Sequence, residues 1–90
     1  MNDKTGVYII SIASQITGLH PQTLRQYDRI GLVTPTRSGR YRLYSQHDLH
    51  KLQRIQQLSN AGINLAGIIH ILELENQIEK LKQRLKTPAP

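Results

Sequence analysis

The sequence contains no cysteine, so neither a disulfide framework nor a thiolate metal site can hold it together. It also lacks a long hydrophobic run. The stretch Val7-Tyr8-Ile9-Ile10 falls far short of the roughly 20 residues that a bilayer span requires. The polar segment from Met1 to Gly6, with Asp3 and Lys4, does not have the form of a secretory leader. A cytoplasmic location is therefore expected. There is no Gly-rich phosphate loop and no Ser, His and acid arranged for nucleophilic work, so no enzyme is expected. His47 and His50 stand at helical spacing, but a metal needs more than two ligands and no third lies nearby. No metal and no other cofactor is expected.

Acidic residues are scarce too: six against twelve Lys and Arg, a net charge of +6. The imbalance is concentrated. Between His20 and Arg54 lie Arg25, Arg29, Arg37, Arg40, Arg42, Lys51 and Arg54, against only Asp28 and Asp48. Basic charge gathered in one region is the electrostatic footprint of a phosphate backbone partner. At 90 residues the chain has the length of one domain, and a domain so small buries only about 60% of its unfolded surface. Without disulfides, docking onto a second copy is the remaining way to gain stability.

Val7 to Ile10 reads as a strand or extended lead-in. Ser11 then offers an N-cap oxygen, with Ile12, Ala13, Ile16 and Leu19 as the inward face of a short helix that Gly18 ends. His20 caps a second helix with Pro21 at its first position, where a missing N–H costs nothing. It runs to about Ile30 and Gly31 stops it. Two short helices joined by a tight turn make a helix-turn-helix. Further on, Ser38-Gly39 marks a turn before Arg40-Tyr41-Arg42-Leu43-Tyr44, which reads as a β-hairpin. Ser45 and Asp48 have capping-box spacing. The helix they open carries Leu49, Leu52, Ile55 and Leu58 inward and closes at Gly62, and Asn64 caps a last helix from Leu65 to Lys86.

On the second helix, Leu24 faces the core with Tyr27 and Asp28 on its shoulders. Gln22, Arg25, Gln26 and Arg29 fall at i, i+3, i+4 and i+7, one polar face opposite Leu24. Gln pairs with adenine and Arg with guanine along major-groove edges. Arg37, Arg40 and Arg42, with Tyr41 and Tyr44 interleaved, suit phosphate contacts at the hairpin. Tyr41 and Arg42 must face opposite ways, and one of the two tyrosines belongs to the core. The expected DNA-contacting set is Gln22, Thr23, Arg25, Gln26, Tyr27, Arg29, Arg37, Arg40, Tyr41 and Arg42.

In the last helix Leu65, Ile68, Ile69 and Leu72 are expected to pack on the domain. Ile71, Leu74, Ile78, Leu81 and Leu85 recur at heptad spacing with charges on the flanks. This seam is expected to pair two protomers. The expected organisation is a disordered lead at 1–6, a DNA-binding domain at 7–70, a coiled-coil dimerisation helix at 71–86 and a disordered tail at 87–90.

With these elements in place, the chain resembles the MerR family over nearly its whole length. The matching pieces are Thr23-Leu24-Arg25 leading to Tyr27, Ile30-Gly31-Leu32, and Arg40-Tyr41-Arg42-Leu43-Tyr44-Ser45. Leu19 to Arg29, Gly62 to Ile68 and Leu72 to Asn76 are most similar to the heat-shock repressors of that family. The resemblance implies a mainly α, winged helix-turn-helix fold with a β-hairpin wing. It also implies a homodimer on an inverted-repeat operator at chaperone genes, with the chaperone DnaK as co-repressor. Many relatives carry a second Tyr where this chain has Gln26, which alters the contact made there. Metal- and redox-sensing branches use Cys, and drug-sensing relatives have an effector domain after the long helix, so those functions are not expected to carry over. Two other functions stay open: a nitrogen-metabolism repressor of the same family, and a DNA-bending excision or architectural factor of mobile DNA.

Overall fold

A strand that runs straight into a helix opens the chain. A computed structural model describes residues 3–86, so the expected disorder at 1–2 and 87–90 lies outside the described residues. The elements are β1 (Gly6–Ile9), α1 (Ile10–Thr17), α2 (Pro21–Arg29), β2 (Thr36–Ser38), β3 (Tyr41–Ser45), α3 (Gln46–Asn60) and α4 (Leu65–Lys86). The architecture is a mainly α winged helix-turn-helix, as expected. The hairpin β2–β3 gains β1 as a third strand, giving an antiparallel sheet of order β1-β3-β2. Asp3 to Gly6, placed in the disordered lead by sequence, are held: Gly6 pairs with Ser45, and the Asp3 carbonyl accepts from the His47 N–H at 2.9 Å. Gly6 is required there, because a Cβ would lie 2.6 Å from the Leu43 carbonyl oxygen.

Helix α3 is the spine. Its Leu49, Leu52, Ile55 and Leu58 are all buried, with Ala13, Leu24, Leu32, Val33, Tyr44 and Ile68 around them. The Ser45–Asp48 capping box forms in both directions, with Asp48 N–H donating to Ser45 Oγ at 3.0 Å and Ser45 N–H to Asp48 Oδ2 at 2.9 Å. Asn64 caps α4 through Oδ1, which accepts from the Gly67 N–H at 2.8 Å.

Three local expectations are corrected. Ser11 does not cap α1: β1 passes into the helix without a break, the cap position falls on Ile9, and no side chain caps it. Ile12 and Ile16 point outward, 39% and 46% exposed, whereas Ala13 and Thr17 are buried. The small Ala13 lets α1 close on its neighbours, and the Thr17 hydroxyl is satisfied by donating to the Ala13 carbonyl at 2.8 Å. In α4, Ile68 is buried and Leu65, Ile71 and Leu72 pack against the core, while Ile69 is 41% exposed. At about 100° per residue the first four form one stripe, and Ile69 falls beside it.

Tyr44 is fully buried, and its hydroxyl meets no hydrogen-bond partner among the described residues. A buried hydroxyl without a bond costs free energy, so Tyr44→Phe is expected to leave stability unchanged or raise it by about 1 kcal/mol. Burial, seconded by the Asp28 charge, raises the Tyr44 pKa above 10.0. The folded state therefore holds this proton more tightly than the unfolded state, and the stability this contributes, complete below pH 10, is lost as pH rises through the folded value. Urea unfolding between pH 8 and 11 checks both points: the alkaline decline should be shallower in Tyr44→Phe.

Candidate nucleic-acid interface

The turn before α2 is tied at several points. Gly18 N–H donates to the Ser14 carbonyl at 2.9 Å and Leu19 N–H to Thr17 Oγ1 at 3.3 Å, while Ser14 Oγ donates to the Leu19 carbonyl. His20 Nδ1 accepts from the Gln22 N–H at 3.1 Å, capping α2 as expected. The turn thus ties α1 to the start of α2. Within α2 Leu24 alone is buried, and Tyr27 packs partly against the core. Gln22, Gln26 and Arg29 are exposed on the outward face; Arg25 is half-buried, with its Nη1 3.4 Å from Gln22 Oε1. Thr23 is half-buried at the margin.

The wing closes with a two-residue loop, Gly39-Arg40, between the paired Ser38 and Tyr41. Gly39 has φ 58, the left-handed conformation that a tight hairpin demands at this position. Tyr41 is 59% exposed and Tyr44 is buried, so Tyr44 is the core tyrosine. Arg40 is exposed at the tip, with no ion-pair partner among the described residues.

The other two wing arginines are differently placed. Arg42 Nε and Arg37 Nη2 both lie 2.8 Å from Asp28 Oδ2. Arg42, expected as a phosphate contact, is thus directed at α2, with its side chain 25% exposed against 60% for Arg37. Sequence reasoning placed Asp28 on the shoulder of Leu24 but missed this role. The available signal was that Asp28 is the one acid between His20 and Asp48, ahead of a hairpin with several arginines.

A helix-turn-helix whose second helix presents Gln and Arg outward, with a basic hairpin fastened beside it, defines a winged helix-turn-helix DNA-binding protein. Residues 8–75 match the model of the MerR HTH family of regulatory proteins, and the chain belongs to the MerR family of transcriptional regulators. It is 58% identical over 93% of its length to a Streptomyces coelicolor chain that carries the name heat shock protein HspR. It is 39% identical over 90% of its length to the HTH-type transcriptional regulator GlnR of Bacillus anthracis. It is 38% identical over 72% of its length to the regulator HmrR of Rhizobium leguminosarum. The chain spans 57%, 64% and 51% of these three relatives. All are regulators rather than enzymes by name or family. No helix among the described residues is long and apolar enough to cross a membrane.

Base reading by α2 and phosphate anchoring by the wing tip predict different responses to substitution. Gln26→Ala is expected to cost about 1–3 kcal/mol on the cognate site and to relax preference at one base position. Arg40→Ala is expected to weaken all sequences alike and to lower the salt slope by about one unit. Binding titrations on a panel of single-base operator variants check this; uniform weakening by Gln26→Ala would mean that the reading face lies elsewhere.

Proposed function

We propose that the chain is the DNA-binding and pairing part of a dimeric repressor of heat-shock genes, acting on an inverted-repeat operator with DnaK as co-repressor. The observation that carries this reading is the 58% identity over 93% of the chain to a protein named for heat shock. The nitrogen-regulator alternative has the lower identity of 39% to GlnR, and an excision factor has no counterpart among the relatives named above.

Pairing is supported by α4 from Leu74 onward. Leu74, Ile78, Leu81 and Leu85 are 51%, 52%, 55% and 87% exposed, an apolar row that one chain leaves uncovered. Ile71, placed at the head of the seam, is half-buried on its own domain. The charges along α4 argue for antiparallel pairing. Along it Glu73, Glu75 and Glu79 come first, and Lys80, Lys82, Arg84 and Lys86 follow. Antiparallel helices set acid against base, whereas parallel ones set like against like. Alongside the acidic stretch runs a groove of about 650 Å³, lined in part by Ile30, Leu32, Ile69 and Leu72 with the three glutamates at its side. Its chemistry suits the apolar and basic last turns of a partner helix.

Ile78→Asp would place an unpaired charge in this contact, at a cost of several kcal/mol. Sedimentation should then find monomers with operator binding lost; a dimer that survives Ile78→Asp removes the seam from consideration. Co-repression has its own test. A partner that prefers the DNA-bound protein must tighten operator binding by the same factor that DNA tightens partner binding. A coupling of about 1.4 kcal/mol gives roughly tenfold. At one fixed, non-denaturing temperature, purified DnaK is expected to raise operator affinity by about that factor, and an unfolded client to reverse it. If neither changes the affinity while the domain itself melts near the induction temperature, the protein is its own thermometer.

A further inference from the structure

We propose that Asp28 is a positioning residue for sequence discrimination: by holding Arg37 and Arg42 on one carboxylate oxygen it fixes the wing against the recognition helix, and it does so while lowering affinity for DNA in general. The inference rests on the reading above that α2 and the wing meet the same duplex.

The hairpin itself creates the need. Arg37 and Arg42 are direct cross-strand partners in the β2–β3 register. Like charges directly opposite each other destabilise a strand pair unless a counter-charge lies between them. Asp28 supplies that charge from a different element, accepting from each guanidinium at 2.8 Å with its own side chain only 10% exposed. The same contact is therefore an intra-hairpin counterion and a tie between hairpin and helix.

The position of Asp28 on the helix argues against direct contact with bases. At 100° per residue it lies about 40° from the inward direction of Leu24, while the face of Gln22, Arg25, Gln26 and Arg29 is centred about 150° from that direction and so about 110° from Asp28. A carboxylate in this basic region repels phosphates and neutralises part of the charge of two arginines, so it works against simple electrostatic binding. What it gives in return is geometry. Arg40 and Tyr41 at the wing tip reach the backbone from a position set by Asp28, and that position determines where along the groove the Gln and Arg face of α2 comes to rest. Phosphate contacts fix register, and base contacts read sequence only when the register is right.

The test compares the full chain and its variants on two duplexes of equal length: an operator selected by the wild type from a random pool, and a scrambled sequence. For Asp28→Asn, affinity for the scrambled duplex should rise several-fold and its salt slope steepen by about one unit, as a released arginine takes up a phosphate. Affinity for the operator should not follow, so that the operator-to-scrambled ratio falls roughly tenfold, the scale of one misplaced base contact. Asp28→Glu keeps the charge and should restore most of the ratio. An unchanged ratio in Asp28→Asn overturns the proposal. Should that variant fail to fold, Arg37→Gln decides, because it removes one arm of the clasp at a side chain 60% exposed. A lower ratio without a shift in the urea midpoint supports the positioning role, and equal weakening of both duplexes shows Arg37 to be a plain phosphate contact and overturns it. A wild type that selects no sequence from the pool brings down the DNA-reading assignment itself, and the proposal with it.

Discussion

The nine-residue helix α2 is too short to be stable alone, since isolated helices below about 12–15 residues are marginal in water. To hold its polar face in a fixed place it needs support from the rest of the domain. The rest of the domain answers this constraint. Leu24 is the single fully buried anchor. The His20 cap and the Ser14 and Thr17 hydroxyls tie the helix start to α1. At the other end Leu32 N–H donates to the Tyr27 carbonyl at 2.9 Å, and Asp28 fastens the wing.

Charge is used in two distinct ways along the chain. In the helix-turn-helix and wing the excess of arginine is a surface property, modified at one point by a carboxylate that organises two of them. In α4 the charges are sorted by position, acids first and bases last. There they bear on how two helices can lie together rather than on DNA. Arg54 joins the two regions, its Nε and Nη2 reaching Glu75 at 3.2 and 2.9 Å. Both side chains are about 40% exposed, so the pair adds little stability; the apolar row from Leu74 onward stays uncovered. The same helix is thus core for its first two turns and surface afterwards.

Much of this was legible in the residues because the signals are local. A cap acts within three or four residues, as at His20, Ser45 and Asn64. The hairpin is legible because Gly39 meets a backbone demand of its own turn. The spine of α3 is legible because an unbroken 3-residue recurrence of Leu and Ile leaves one face to bury. In α1 the same kind of reading misled, since its three isoleucines, Ile10, Ile12 and Ile16, cannot share one face and the buried side was decided by size. Ala13 and Thr17 fit against the neighbouring elements where Ile12 and Ile16 do not.

The sequence by itself determined which segments are helix, turn and strand, which helix carries the outward polar face, and the family to which the chain belongs. Those properties depend on periodicity, capping and backbone freedom over a few neighbours. Only the tertiary structure decided which side of α1 is buried, that β1 joins the hairpin as a third strand, and that Arg42 turns to Asp28 across a separation of 14 residues. These depend on which surfaces meet once the chain has closed on itself. An arginine in a strand carries the same charge wherever it points, and only the neighbour it meets determines whether that charge is offered to DNA or held by a carboxylate.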